Sequence, residues 1–136
     1  MVGPAAARIL IADDSPELRR GLRILLESRP GFSVCGKAIN GAEAISKVQE
    51  LKPDILILDL GLPDMNGLEA ARRILQAAPT FPILMFSMHF TTQLVQEAHK
   101  IGIRGYIEKG ASTEILFEAI KAVLGGEIFF LSKSKI

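Results

Sequence analysis

The chain has 136 residues, with 16 basic and 15 acidic side chains, a formal net charge of +1, 49% hydrophobic and 23% charged residues. That length suits a single domain able to bury roughly two-thirds of the surface its unfolded chain exposes, and the apolar content excludes a disordered chain. The even charge balance offers no global field to hold a nucleic acid backbone, so no direct nucleic acid binding is expected of this stretch.

The opening residues MVGPAAARILIADD contain no apolar stretch of signal-peptide length ahead of their acidic pair. A first strand is predicted at Arg8–Ala12, and Ser15 followed by Pro16 marks the N-cap and first turn of a helix with Leu18, Leu22, Leu25 and Leu26 on one face. A second strand is predicted over Phe32–Ala38. It contains Cys35, the only cysteine, which excludes an internal disulfide and a Cys-x-x-Cys thiol site. Asn40, with Glu43 three residues on, resembles a capping box for a helix beginning near Gly41 and carrying Ile45, Val48 and Leu51.

The centre of the chain reads DILILDLGLPDMNG over residues 54–67. Ile55–Leu58 has the length and branching of a strand buried on both faces, and it ends in Asp59. Turn residues lead from there to a helix starting near Gly67. Residues 74–96 carry no charge, but Pro79 and Pro82 interrupt them, so no membrane span is expected and the cytoplasm is the expected compartment. Strands are predicted at Ile83–Phe86 and Gly105–Ile107, with helices from near Thr91 and Thr113. Ser112 can cap the last helix, and Gly125-Gly126 can stop it. Strict alternation of apolar strand and amphipathic helix predicts an α/β fold, a parallel sheet covered on both sides through right-handed crossovers.

In such a sheet the carboxyl ends of the strands share one edge, where ligands bind. Asp13 and Asp14 follow the first strand, Asp59 the third, Ser87 the fourth and Lys109 the fifth. Three carboxylates in one cleft repel unless a cation joins them. Mg²⁺, a hard ion that keeps waters and uses one or two carboxylates plus a phosphoryl oxygen, suits this set better than zinc, and Mn²⁺ is an alternative. His89 and His99 have no Cys or His partner at zinc spacing. A carboxylate beside a metal, a lysine and a hydroxyl is equipped for phosphoryl transfer. Asp59 would act as nucleophile, while Lys109 and Ser87 would meet the phosphoryl oxygens.

Four stretches, ILIADDSPELRRGL, DILILDLGLPDMNGLEAARRI, PILMFSMH and GIRGYIEKGASTEILFEAIKAVLGGE, make residues 8–126 resemble the receiver domains of two-component response regulators. The last two look most like the NarL/FixJ branch. The resemblance implies a single-domain (βα)5 flavodoxin-like, doubly wound sheet of strand order 2-1-3-4-5. It implies that Asp59 accepts a phosphoryl group from a sensor histidine kinase or small phosphodonor, and that Asp13, Asp14, Asp59 and the Gly61 carbonyl surround Mg²⁺. Ser87 and Lys109 would contact the phosphate, Ser87 and Tyr106 would form the switch, and the chain would be a phosphoacceptor rather than a classical enzyme. On phosphorylation Ser87 would move, Tyr106 would turn inward, and the surface of the fourth helix, fifth strand and fifth helix would change.

The output would be transcription control through a C-terminal DNA-binding domain outside this sequence, and two copies would pair on activation. The alternative is a stand-alone or phosphorylation-independent interaction module. Residues 1–7 are expected as an N-terminal tail, and 127–136 as a docked tail or the start of a linker. Phosphohydrolases with an aspartate nucleophile want a second aspartate two residues on, where Gly61 stands. Gly61 departs from the usual pattern, and Gly61 together with His89, two residues after Ser87, is expected to set the lifetime of the acyl phosphate through access of water. Lys109 precedes Gly110 where many relatives have proline, leaving a cis bond an open question.

Overall fold

The structure, a computed structural model, describes residues 6–131. Its elements run β1 (Ala7–Ala12), α1 (Pro16–Glu27), β2 (Phe32–Ala38), α2 (Gly41–Leu51), β3 (Ile55–Leu58), α3 (Gly67–Ala77), β4 (Ile83–Ser87), α4 (Thr92–Ile101), β5 (Gly105–Glu108), α5 (Thr113–Leu124) and β6 (Phe129–Leu131). The expected alternation is present, with β1, β4 and β5 each one residue longer than the apolar runs indicate. The expected tails at 1–7 and 127–136 lie outside the described residues over 1–5 and 132–136.

Each helix starts where a side chain can accept an otherwise unpartnered backbone N–H. Ser15 accepts from Leu18, Asn40 from Glu43, Asn66 from Leu68, Thr91 from Leu94 and Ser112 from Ile115. Glu43 also reaches back to the N–H of Ile39 at 3.1 Å, so the predicted box closes one residue further out than its usual form.

All strands pair in parallel in the order β2-β1-β3-β4-β5-β6. Two apolar layers follow from the alternation of side chains across the sheet. Leu10, Leu56, Leu58, Met85 and Tyr106 face α2, α3 and α4, while Ile9, Ile11, Ile57, Leu84 and Ile107 face α1 and α5. β3 and β4 are buried along their whole length, which is why they read as continuous apolar runs.

The sheet has one strand more than the expected order 2-1-3-4-5. Gly126 adopts φ +83° after α5, in the left-handed region that glycine occupies freely, and the chain turns back along β5. Glu127 N–H donates to the Ala122 carbonyl and Phe129 N–H to the Arg104 carbonyl, each at 2.8 Å. Phe129, Phe130 and Leu131 then lie opposite Gly105, Tyr106 and Ile107. The segment docks, and it docks as a strand. Among the described residues no peptide bond is cis, so Lys109–Gly110 is trans.

Candidate functional site

Register carries the functional residues to one edge. Ala12 lies opposite Leu58, Leu58 opposite Met85 and Ser87 opposite Glu108, so Asp13, Asp59, Ser87 and Lys109 emerge side by side. Backbone bonds fix the exits: Asp59 N–H donates to the Ala12 carbonyl at 2.9 Å, and Lys109 N–H to the Ser87 carbonyl at 2.8 Å. Asp13, Asp59 and Ser87 are the buried polar residues in this part of the chain, and Asp14 stands exposed at the rim.

Carboxylate oxygens of Asp13, Asp14 and Asp59 all lie within 4.8 Å of one another. Lys109, mostly buried, donates from Nζ to Asp13 Oδ2 at 2.8 Å and lies 3.4 Å from Asp59 Oδ2. Asp13 is held on its other oxygen by the N–H of Ser15 at 2.9 Å, at the start of α1, while the Arg19 guanidinium donates to its carbonyl at 2.7 Å. Burial, and then the charge of Asp13, push the Asp59 carboxyl above its ordinary pKa. Lys109 and the N–H of Gly61 pull it the other way.

One ammonium faces three carboxylates. The set therefore has an excess of negative charge, made entirely of hard oxygen donors, and a divalent cation of oxygen preference fits it. Asp13, Asp14 and Asp59 are the side chains that can hold such an ion.

The loop after Asp59 is shaped by glycines. At Gly67 a Cβ would strike the backbone oxygen of Asp59, with Leu60 Cα at 2.9 Å, so α3 can begin this close to β3 only without a side chain. Gly61, bridged to Asn66, is exposed and has open space where a Cβ would sit. Across the mouth His89 is also exposed, and its N–H donates to Ser87 Oγ at 3.0 Å.

Tyr106 is fully buried, and its hydroxyl donates to the His89 carbonyl at 2.6 Å. The ring meets Phe90 edge-on at 5.3 Å. Burial raises the phenol pKa, the facing Ser87 hydroxyl offsets part of this, and the Asp59 charge adds to the rise. The inward position expected of a phosphorylated form is thus already adopted in this structure.

Sequence reasoning missed Asp64. Its two oxygens accept the N–H groups of Gly41 at 2.7 Å and Ala42 at 2.9 Å, tying the β3–α3 loop to the start of α2. The signal was an aspartate in a turn, which reads equally well as solvated.

A parallel α/β domain with an acidic cleft and a lysine at the strand ends defines a class of signalling domain. The family model for the response regulator receiver domain matches residues 9–121, and the chain belongs to that family. It is 36% identical over 122 residues to the nitrate/nitrite response regulator protein NarL of Escherichia coli (strain K12), covering 90% of this chain and 56% of that protein. Among solved structures it is similar to a two-component response regulator of the LuxR family from Aurantimonas sp. SI85-9A1, with TM-score 0.88, 38% identity and coverage of 92% of this chain and 89% of that one. It is also similar to a chain in the CheX-CheY-BeF3-Mg+2 complex from Borrelia burgdorferi, with TM-score 0.83, 26% identity and coverage of 88% and 90%. The chain spans about half the length of the curated relatives it matches, many of them transcription regulators. Among the described residues no helix is long and apolar enough to cross a membrane.

Proposed function

We propose that the cleft accepts a phosphoryl group on Asp59 in a Mg²⁺-dependent reaction and that the modified domain controls an output. The reading is carried by Lys109, whose Nζ reaches Asp13 and Asp59 at once within a cluster of three carboxylates. An Asp59 oxygen attacks phosphorus, and the bond from phosphorus to the donor breaks with its electron pair leaving on the donor atom, the imidazole nitrogen of a histidine kinase or the oxygen of a small phosphodonor. Asp13, Asp14, Asp59 and the Gly61 carbonyl would hold Mg²⁺, which would supply positive charge to the phosphoryl oxygens. Lys109 neutralises another oxygen, and the Ser87 hydroxyl donates to a third. Exposed Gly61 and His89 leave the mouth open to water, and they set how long the acyl phosphate lasts.

The partner is a sensor histidine kinase. The output is transcription control through a DNA-binding domain beyond this chain, with pairing of two copies on activation, in line with the relatives' names. This makes the domain a phosphoacceptor that assists its own modification, in the cytoplasm.

A second reading, a receiver-like module that needs no phosphate, is favoured by the inward Tyr106 alone. Mass spectrometry after incubation with acetyl phosphate and Mg²⁺ separates the two. A gain of one phosphoryl group that is absent in Asp59→Asn supports the switch, whereas an unmodified wild type leaves the module.

A further inference from the structure

Tyr106 joins the strand sheet to the rim of the site. Its phenol donates to the carbonyl of His89, and the N–H of the same His89 donates to Ser87 Oγ. Two hydrogen bonds thus run from Tyr106 through His89 to Ser87. What holds the ring in place is therefore a question about the site.

Three sides of the ring are accounted for by the body of the domain. Met85 lies beside it across the β4–β5 ladder, Phe90 meets it edge-on, and the apolar layer under α4 packs against it. The fourth side is the outer edge of β5. There Phe130 is the register partner of Tyr106, on the same face of the sheet, and packs against the same apolar layer. Phe130 in turn lies edge-on to His99 on α4, with ring centroids 5.9 Å apart. The short strand β6 thus covers the outer edge of β5 beside the buried Tyr106.

We propose that Phe130 is a positioning residue: docking of β6 clamps Tyr106 inward and through His89 holds Ser87 in place for a phosphoryl group on Asp59. The last clause rests on the phosphoacceptor reading above; the clamp itself does not. The coupling is reciprocal, so occupancy of the phosphoryl site tightens β6 to the same degree that β6 favours occupancy. β6 is then linked to the site by one aromatic side chain.

The 136-residue chain contains one tyrosine and no tryptophan, so its intrinsic emission reports Tyr106 alone. The experiment compares the 136-residue chain as wild type, Phe130→Ala and Phe130→Leu, each checked for folding by far-ultraviolet circular dichroism. Acrylamide is expected to quench wild type and Phe130→Leu weakly and Phe130→Ala several-fold more strongly, with faster amide exchange at His89 in the alanine variant. A role confined to stability would lower the melting temperature but leave the tyrosine of the folded variant protected, and that result overturns the clamp. Beryllofluoride with Mg²⁺ then tests the coupling. Its affinity should fall about 5-fold or more in Phe130→Ala, and in wild type it should slow exchange of the Phe129 amide. An exposed tyrosine with unchanged beryllofluoride affinity overturns the coupling. No beryllofluoride response in wild type removes the phosphoacceptor reading, while quenching still decides the clamp.

Discussion

Lys109 is the residue on which the balance of the cleft depends. It is the only cation within reach of Asp13 and Asp59 among the described ion pairs, and it acts from a mostly buried position where screening by water is weak. Removing one donor to developing negative charge costs on the order of 10²-fold in rate in comparable sites. Lys109→Ala is therefore expected to slow phosphorylation by acetyl phosphate by roughly that factor, measured by mass spectrometry over time, while circular dichroism stays unchanged. At the mouth, Gly61→Asn adds an amide where a side chain has open space, and His89→Ala removes an exposed ring. The first is expected to slow loss of phosphate and the second to alter it. If both variants dephosphorylate at the wild-type rate, these positions do not govern access of water. The carboxylates, Ser87 and Lys109 were legible because each ends a predicted strand. The orientation of Tyr106 was not, because a side chain's rotamer depends on neighbours from β4, the β4–α4 loop and β6 that one stretch of sequence does not bring together.

At the scale of elements, caps and strand runs were readable because they are local. Ser15, Asn40 and Ser112 each accept the N–H their positions foretold. β6 was not readable. Phe-Phe-Leu is too short to carry a strand period, and it becomes a strand only because β5 offers it an unpaired edge. The link from the β3–α3 loop to α2 has its own test. Bonds from Gly41 and Ala42 hold the Asp64 carboxyl below its ordinary pKa. A depressed carboxylate contributes stability that is full above its unfolded-state pKa and is lost as pH falls through the lower folded value. Asp64→Asn is expected to melt at lower temperature than wild type at pH 7, with the two curves converging in acid. Equal separation at pH 7 and pH 3 would show that the charge contributes nothing; the effect is small because the group is exposed.

For the molecule as a whole, alternation of strand and helix dictated a parallel sheet, while the position of β1 between β2 and β3 came from family resemblance. Apolar runs say which strands are interior but not which two are neighbours. The completed fold places three like charges together, so a cation that binds only the folded form should stabilise all of it. With Mg²⁺ at about 100 times its dissociation constant the gain is about 2.7 kcal/mol, or on the order of 10 °C in melting temperature for a domain of this size. Calorimetry should show this rise in wild type and its loss in Asp14→Ala, whose exposed side chain leaves the core intact. A rise of equal size in both would place the ion elsewhere.

Asp13 and Lys109 are separated by 96 positions in the chain, yet they meet in one bond. A polypeptide still being synthesised, or one whose last strands have come loose, owns its acidic residues but not the lysine that completes them. The charge balance of the cleft is accordingly completed late, and only once the ends of β1 and β5 stand in one sheet.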